Sequence, residues 1–148
     1  MAVGNFTFYH QGKLSKHDGD IDLGTDSIMC ILVAAAYTPA VTTDATYADV
    51  SANEIADTDY AQQLVTALTS SIDGSGVITV DSADVPFGNP VSITAKYAVF
   101  AKRAGASLVA GDSLLGYVDL DDTTTAAEVS STNSEFSVKT PNGFYTLT

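Results

Sequence analysis

The run "SIMCILVAAAY", residues 27–37, limits the possible folds of this chain more than any other stretch. It is nearly continuously apolar, contains β-branched residues and stops at Thr38-Pro39. A run that short and that uniform fits a strand covered on both faces. It is expected to be the central strand of the molecule.

The rest of the chain supplies partners for that strand. From Val91 to Lys102, "VSITAKYAVFAK", the residues Val91, Ile93, Ala95, Tyr97, Val99 and Ala101 alternate with Ser92, Thr94, Lys96, Ala98, Phe100 and Lys102. That period of two predicts one unbroken strand. The sequence "DGSG" (73–76) separates "QQLVTALTSSI" from "VITV" and reads as a hairpin loop. "LLGYVDL", "SEFSVKT" and "GFYTLT" are three further short strands, and Pro141-Asn142-Gly143 predicts a closing hairpin between the last two. Residues 40–60 read as a long excursion with at most one helical turn, and Ser51-Ala52-Asn53-Glu54 has capping-box spacing. The beginning stays open: "NFTFYH" alternates as a strand, whereas Phe6, Tyr9, Lys13 and Leu14 would form a short helical face.

Together these signals predict an all-β fold, an antiparallel β-sandwich or flattened barrel of seven to eight strands with at most one or two short helices. At 148 residues the chain fits one domain, 1–148, with residues 1–17 set apart as an N-terminal arm or short helix. No stretch approaches the roughly 18 apolar residues of a membrane span, and Met1 to His10 lacks a signal-peptide pattern. A soluble protein is expected.

"HDGDIDLGTD" (17–26) raises the question of a metal. Asp18, Asp20 and Asp22 match the first three ligand positions of a calcium loop. The sixth position is Leu23 instead of glycine, and the twelfth is Met29 instead of a bidentate glutamate. A turn at Asp18-Gly19 followed by a strand, with Ile21 and Leu23 inward and the aspartates outward, explains the same spacing without a cation.

Other chemistry is equally sparse. His10 and His17 lack a nucleophile signature or a zinc-ligand spacing and read as exposed side chains. Cys30, the only cysteine, lies in the apolar run and reads as a buried thiol. Asp57, Asp59, Asp121 and Asp122 fall in loops, and "AGASLVAGDS" (104–113) matches no phosphate-binding loop. Tyr97, Phe100, Tyr117, Phe136 and Phe144 read as core aromatics, and tryptophan, the usual sugar platform, is absent. We therefore expect no catalytic, cofactor-binding or metal residues and no enzymatic activity. The net charge of −12 argues against nucleic acid and anionic membranes as partners.

Read in order, "GDIDLGTDSIMCILVAAAYTP", "YADVSANEIADTDYAQQ", "VITVDSADVPFGNPVSITAKYAVFAK", "LLGYVDL" and "FSVKTPNGFYTLT" resemble a family of small tailed-bacteriophage virion proteins. The resemblance covers nearly the whole chain and falls on strand and turn formers; relatives have a glycine-rich stretch after the tyrosine where this chain has "AQQLVTALTSS". It implies a structural component of the particle. The expected role is a capsid cement, or decoration, protein on the capsid exterior that binds the major capsid protein, as a homo-oligomer with a trimer favoured. A tail-associated or fibre-associated protein and a host-glycan-binding module are the alternatives. Residues 40–60 and Met1 to Tyr9, which carry apolar and tyrosine side chains outside strong strand patterns, are the expected lattice contacts.

Overall fold

In the computed structural model, which describes residues 4–121, 123, 127–139 and 144–147, the chain runs β1 (Thr7–Phe8), α1 (His10–Asp18), β2 (Ser27–Val33), α2 (Tyr47–Ser51), β3 (Gln63–Leu64), β4 (Thr69–Ile72), β5 (Ile78–Asp81), β6 (Val85–Ala95), β7 (Tyr97–Arg103), β8 (Leu114–Asp119), β9 (Val129–Val138) and β10 (Tyr145–Leu147). The fold is all-β. A five-stranded sheet, β1-β8-β7-β2-β3, packs with a three-stranded sheet, β10-β5-β4, and the two-stranded ribbon β6-β9, and every pairing is antiparallel. Ten strands are described instead of seven or eight, because two-residue β1 and β3 extend the edges of the large sheet.

β2 is an interior strand between β7 and β3, whereas β7 holds the middle place expected of β2, and every residue from Ile28 to Val33 is buried. Ile28, Cys30 and Leu32 enter the core shared with the other two sheets, where they join Phe87, Ile93 and Phe136. Met29, Ile31 and Val33 enter a second core on the opposite face, with Tyr9, Tyr37, Val50 and Leu114. Each such aliphatic side chain contributes roughly 1.5–3 kcal/mol through burial. The apolar run is continuous because this strand has no solvent face.

The excursion after β2 covers the second core. Val50, from α2, is fully buried there, and Ile55 is buried in the first core. The capping spacing read at Ser51 is not used: Ser51 ends α2. The cap is Thr46 with Asp49, whose carboxylate accepts the amides of Ala45 and Thr46 at 2.9 and 2.8 Å. These amides hold the Asp49 carboxyl below the usual carboxylate range.

The single strand expected over 91–102 is two strands in two sheets. At Lys96 the chain turns a corner, its amide donating to the Val33 carbonyl and its carbonyl accepting from the Leu120 amide, both at 2.9 Å. Val91, Ile93 and Ala95 face the first core, and past the corner the residues facing it are Ala98 and Phe100. The alternation therefore shifts by one residue, as expected where a strand changes sheets at a bend.

The ends of the chain are also resolved differently from expectation. "NFTFYH" supplies both readings, a two-residue strand on β8 and then a helix. The helical face differs, however: Gly12 and Ser15 are buried, while Lys13 and Leu14 are exposed. Gly12 is required by close approach, since a Cβ there would lie 2.3 Å from the Leu115 carbonyl oxygen. From Gly4 onward the segment is docked, with Phe6 and Phe8 half-buried and Tyr9 fully buried. At the other end β10 pairs with β5 instead of forming a hairpin with β9. Phe144 anchors it, its ring centroid 4.6 Å from Phe100 and 4.7 Å from Phe6. The Pro141-Asn142-Gly143 turn lies outside the described residues.

Candidate functional site

The aspartate-rich stretch is a helix-to-strand connection. Gly19, in the left-handed conformation at φ 84°, ends α1, and Ile21 is buried beyond it. Residues 19–26 form no strand; Asp22 makes a side-chain turn, accepting the Gly24 amide at 2.8 Å, while Asp26 accepts the Asp22 amide at 2.8 Å. Lys102 then pairs with Asp26 at 2.9 Å and donates to the Asp20 carbonyl. Partial burial pulls the Asp26 carboxyl upward, but the Asp22 amide and Lys102 outweigh it and hold it below the usual range. Asp18, Asp20 and Asp22 themselves are exposed. Among the described residues, no group of three or more His, Cys, Asp or Glu side chains is placed to hold a metal ion.

The acidic residues of the excursion act as clamps. Glu54 accepts the hydroxyl protons of Tyr47 and Tyr60, each at 2.5 Å, and the Gln62 amide at 3.0 and 3.2 Å. Tyr60 in turn accepts the buried Leu32 amide at 3.2 Å, and its ring stacks on Phe87. A second clamp joins the Tyr9 and Tyr37 hydroxyls at 2.5 Å, and Tyr37 donates to Asp44 at 2.6 Å. Burial first, then the neighbouring carboxylates, raises the Tyr37 and Tyr60 hydroxyls well above the tyrosine range; the same causes push Tyr47 up to about 12. The tyrosines read as lattice contacts thus spend their hydroxyls inside the molecule.

The remaining candidates have structural uses or none. Asp57 and Asp59 accept the Thr94 and Ser92 amides at 3.2 and 3.1 Å, blocking the free edge of β6. Asp121 accepts the Thr123 and Ala127 amides, and Asp122 lies outside the described residues. Asp112, buried, orders the 104–113 loop by accepting the Val109 amide at 2.8 Å and the Ala104 amide at 3.3 Å. The "DGSG" loop closes the β4–β5 hairpin, Asp73 accepting the Ser75 and Val77 amides. His10 and His17 are exposed on α1, and Cys30 is fully buried, its thiol pushed up by desolvation. Among the core aromatics, Phe100, Phe136 and Phe144 are buried and Tyr97 and Tyr117 are half-buried. Among the described residues, no helix is long and apolar enough to cross a membrane.

One surface feature was not legible as a site in the sequence. An open groove of about 430 Å³ lies between the end of α1, the 19–24 connection and the three-stranded sheet, and Lys16, Ile21, Leu23, Ile78, Tyr145 and Leu147 are among its lining residues. The register carries its apolar lining, Ile78 and Leu147, on to Ile72 outside the groove. Leu147 pairs with Ile78, and Ile78 pairs with Ile72, so these three form one row across one face of the sheet. They are 43%, 36% and 69% exposed, which leaves that row without a cover among the described residues. Comparison with known proteins gives no match among family models, curated sequences or solved structures.

Proposed function

We propose that this chain is a tailed-phage virion structural protein, a capsid cement protein that binds the outer surface of the major capsid lattice as a homo-oligomer, with a trimer favoured, and stabilises the head without catalysing a reaction. The observation that carries the reading is the fastening of the long 34–60 excursion. Two tyrosine–carboxylate clamps and the buried Val50 and Ile55 make it a fixed surface. A fixed surface loses little conformational freedom on docking, which favours binding without induced change.

Three further features support it. The sequence order resembles that of small phage virion proteins along nearly the whole chain. The excess of acidic residues, eighteen against six basic, suits a position on the exterior, away from packaged DNA. Clamped tyrosines and exposed histidines supply no assembled acid–base pair. A protein that binds only the mature lattice stabilises that state by mass action, in proportion to its occupancy.

The test is reconstitution. Purified chain added to heads that lack it should co-sediment with them, saturate, and raise their temperature of disruption. Saturable binding to tails and none to heads would move the assignment to the tail-associated alternative. Binding to host glycans and to neither particle part would favour the glycan-binding alternative.

A further inference from the structure

We infer that the face formed by the three-stranded sheet and α1 is where one copy of this chain docks on another. The inference rests on the homo-oligomer proposed above and assigns it a surface. The row Ile72, Ile78 and Leu147 is the apolar centre, and the groove beside it carries the patch onto α1 through Lys16. Exposed apolar side chains aligned in register on one sheet face mark an interaction surface more strongly than scattered ones.

The charges name the partner. His10, Lys13, Leu14 and His17 are spaced i, i+3, i+4 and i+7, so they share the outward face of α1, and all are exposed. Lys102 is committed to Asp26 and Lys96 to Asp119, so α1 presents cations to the outside where those two do not. Directly after this face come the exposed Asp18, Asp20 and Asp22. A cationic segment followed by an anionic one, each reaching the groove through one residue, Lys16 and Asp22, is complementary to a second copy of itself. The lysines of one copy meet the aspartates of the next, and a repeated contact of this kind closes a ring.

The sheet edge agrees. The free edge of β6 is blocked by two aspartates, whereas β4, one of the two outer strands of its sheet, is exposed at all four residues and has neither charge nor proline. An edge left without these protections is suited to pairing or packing with another chain.

Sedimentation velocity of the full chain over a range of concentrations tests this. The wild type should assemble, and the pair Ile78→Asp with Leu147→Asp should raise the apparent dissociation constant by at least about tenfold. Circular dichroism and melting temperature report whether that variant folds, and Val109→Asp, at an exposed apolar residue elsewhere, should assemble as the wild type does. Lys13→Asp with Lys16→Asp should weaken assembly, and adding Asp18→Lys with Asp20→Lys should restore it. A wild type that stays monomeric throughout, or a folded Ile78→Asp/Leu147→Asp variant that assembles normally, would overturn the inference. Binding to heads separates the two proposals. Monomers that bind heads and stabilise them leave the cement reading standing and sink this one; assembly through this face without head binding does the reverse.

Discussion

Replacing Tyr60 by phenylalanine removes one oxygen and should unfasten the excursion from β2. That hydroxyl makes two hydrogen bonds, donating to Glu54 at 2.5 Å and accepting from the Leu32 amide at 3.2 Å. Leu32 is fully buried, so its amide loses its partner in a place water does not reach. An unsatisfied buried donor costs about 1–3 kcal/mol, and a hydrogen bond to a charged group contributes about 1.5–3 kcal/mol. Glu54 is half-buried and keeps Tyr47 and Gln62, so the lower end of that second range applies. Both bonds share one oxygen and do not add in full, which leaves a loss of about 2.5 kcal/mol. For a chain of this size that corresponds to a fall in melting temperature of about 5–10 °C. Tyr47→Phe, which touches no buried amide, should cost only about 1.5 kcal/mol. Urea denaturation of the three proteins measures both values. A Tyr60→Phe variant within about 0.5 kcal/mol of the wild type, the level of an ordinary surface substitution, would refute the clamp.

Three other outcomes follow from the same structure. Burial raises the Tyr9, Tyr37 and Tyr60 hydroxyls, so the folded chain keeps protons that the unfolded chain releases above about pH 10. Their contribution is complete below that pH and is lost as the pH rises above it; tyrosinate absorbance that developed fully near pH 10 with native circular dichroism intact would contradict this. Gly12→Ala puts a Cβ against two carbonyls of β8 and should destabilise by about 1–3 kcal/mol, whereas Gly105→Ala, in open space, should change little. Thermal melts of the two variants should therefore separate clearly. The Cys30 thiol should resist a thiol reagent until the chain unfolds, so modification of the native protein at the rate of a free thiol would show that the first core is open.

The parts of the fold that were legible in sequence are those fixed by local pattern. Burial of β2 on both faces left a continuous apolar run, and Asp73 and Gly76 marked the β4–β5 hairpin. The corner at Lys96 was hidden because β7 is also buried on both faces. With Ala98 and Phe100 facing one core and Val99 and Ala101 the other, a shift of phase leaves no polar residue out of place. The pairing of β10 with β5 was hidden for another reason: it depends on Phe144 reaching Phe6 and Phe100, contacts distant in sequence. α1 misled because close packing selected Gly12 and Ser15 for its inner face, reversing the usual rule that large apolar side chains point inward.

The aspartates show the same limit at a candidate site. Alternation at Asp20 and Asp22 imitates a strand, while the physical reason for Asp22 and Asp26 is amide capture in a turn. The spacing of Ser51 and Glu54 imitates a helix cap, yet Glu54 serves two tyrosines. Carboxylates that accept amides or hydroxyls from distant segments leave no periodic trace. The apolar row of Ile72, Ile78 and Leu147 was equally invisible, because it exists only once the register of three strands is known.

The most direct measurement of the account is a cryo-electron microscopy reconstruction of intact particles that carry this protein. Density for this fold should lie on the outer surface of the head, over the junctions between major capsid subunits, in symmetric clusters of copies. Finding the chain confined to the tail, or missing from purified particles, would contradict the central claim.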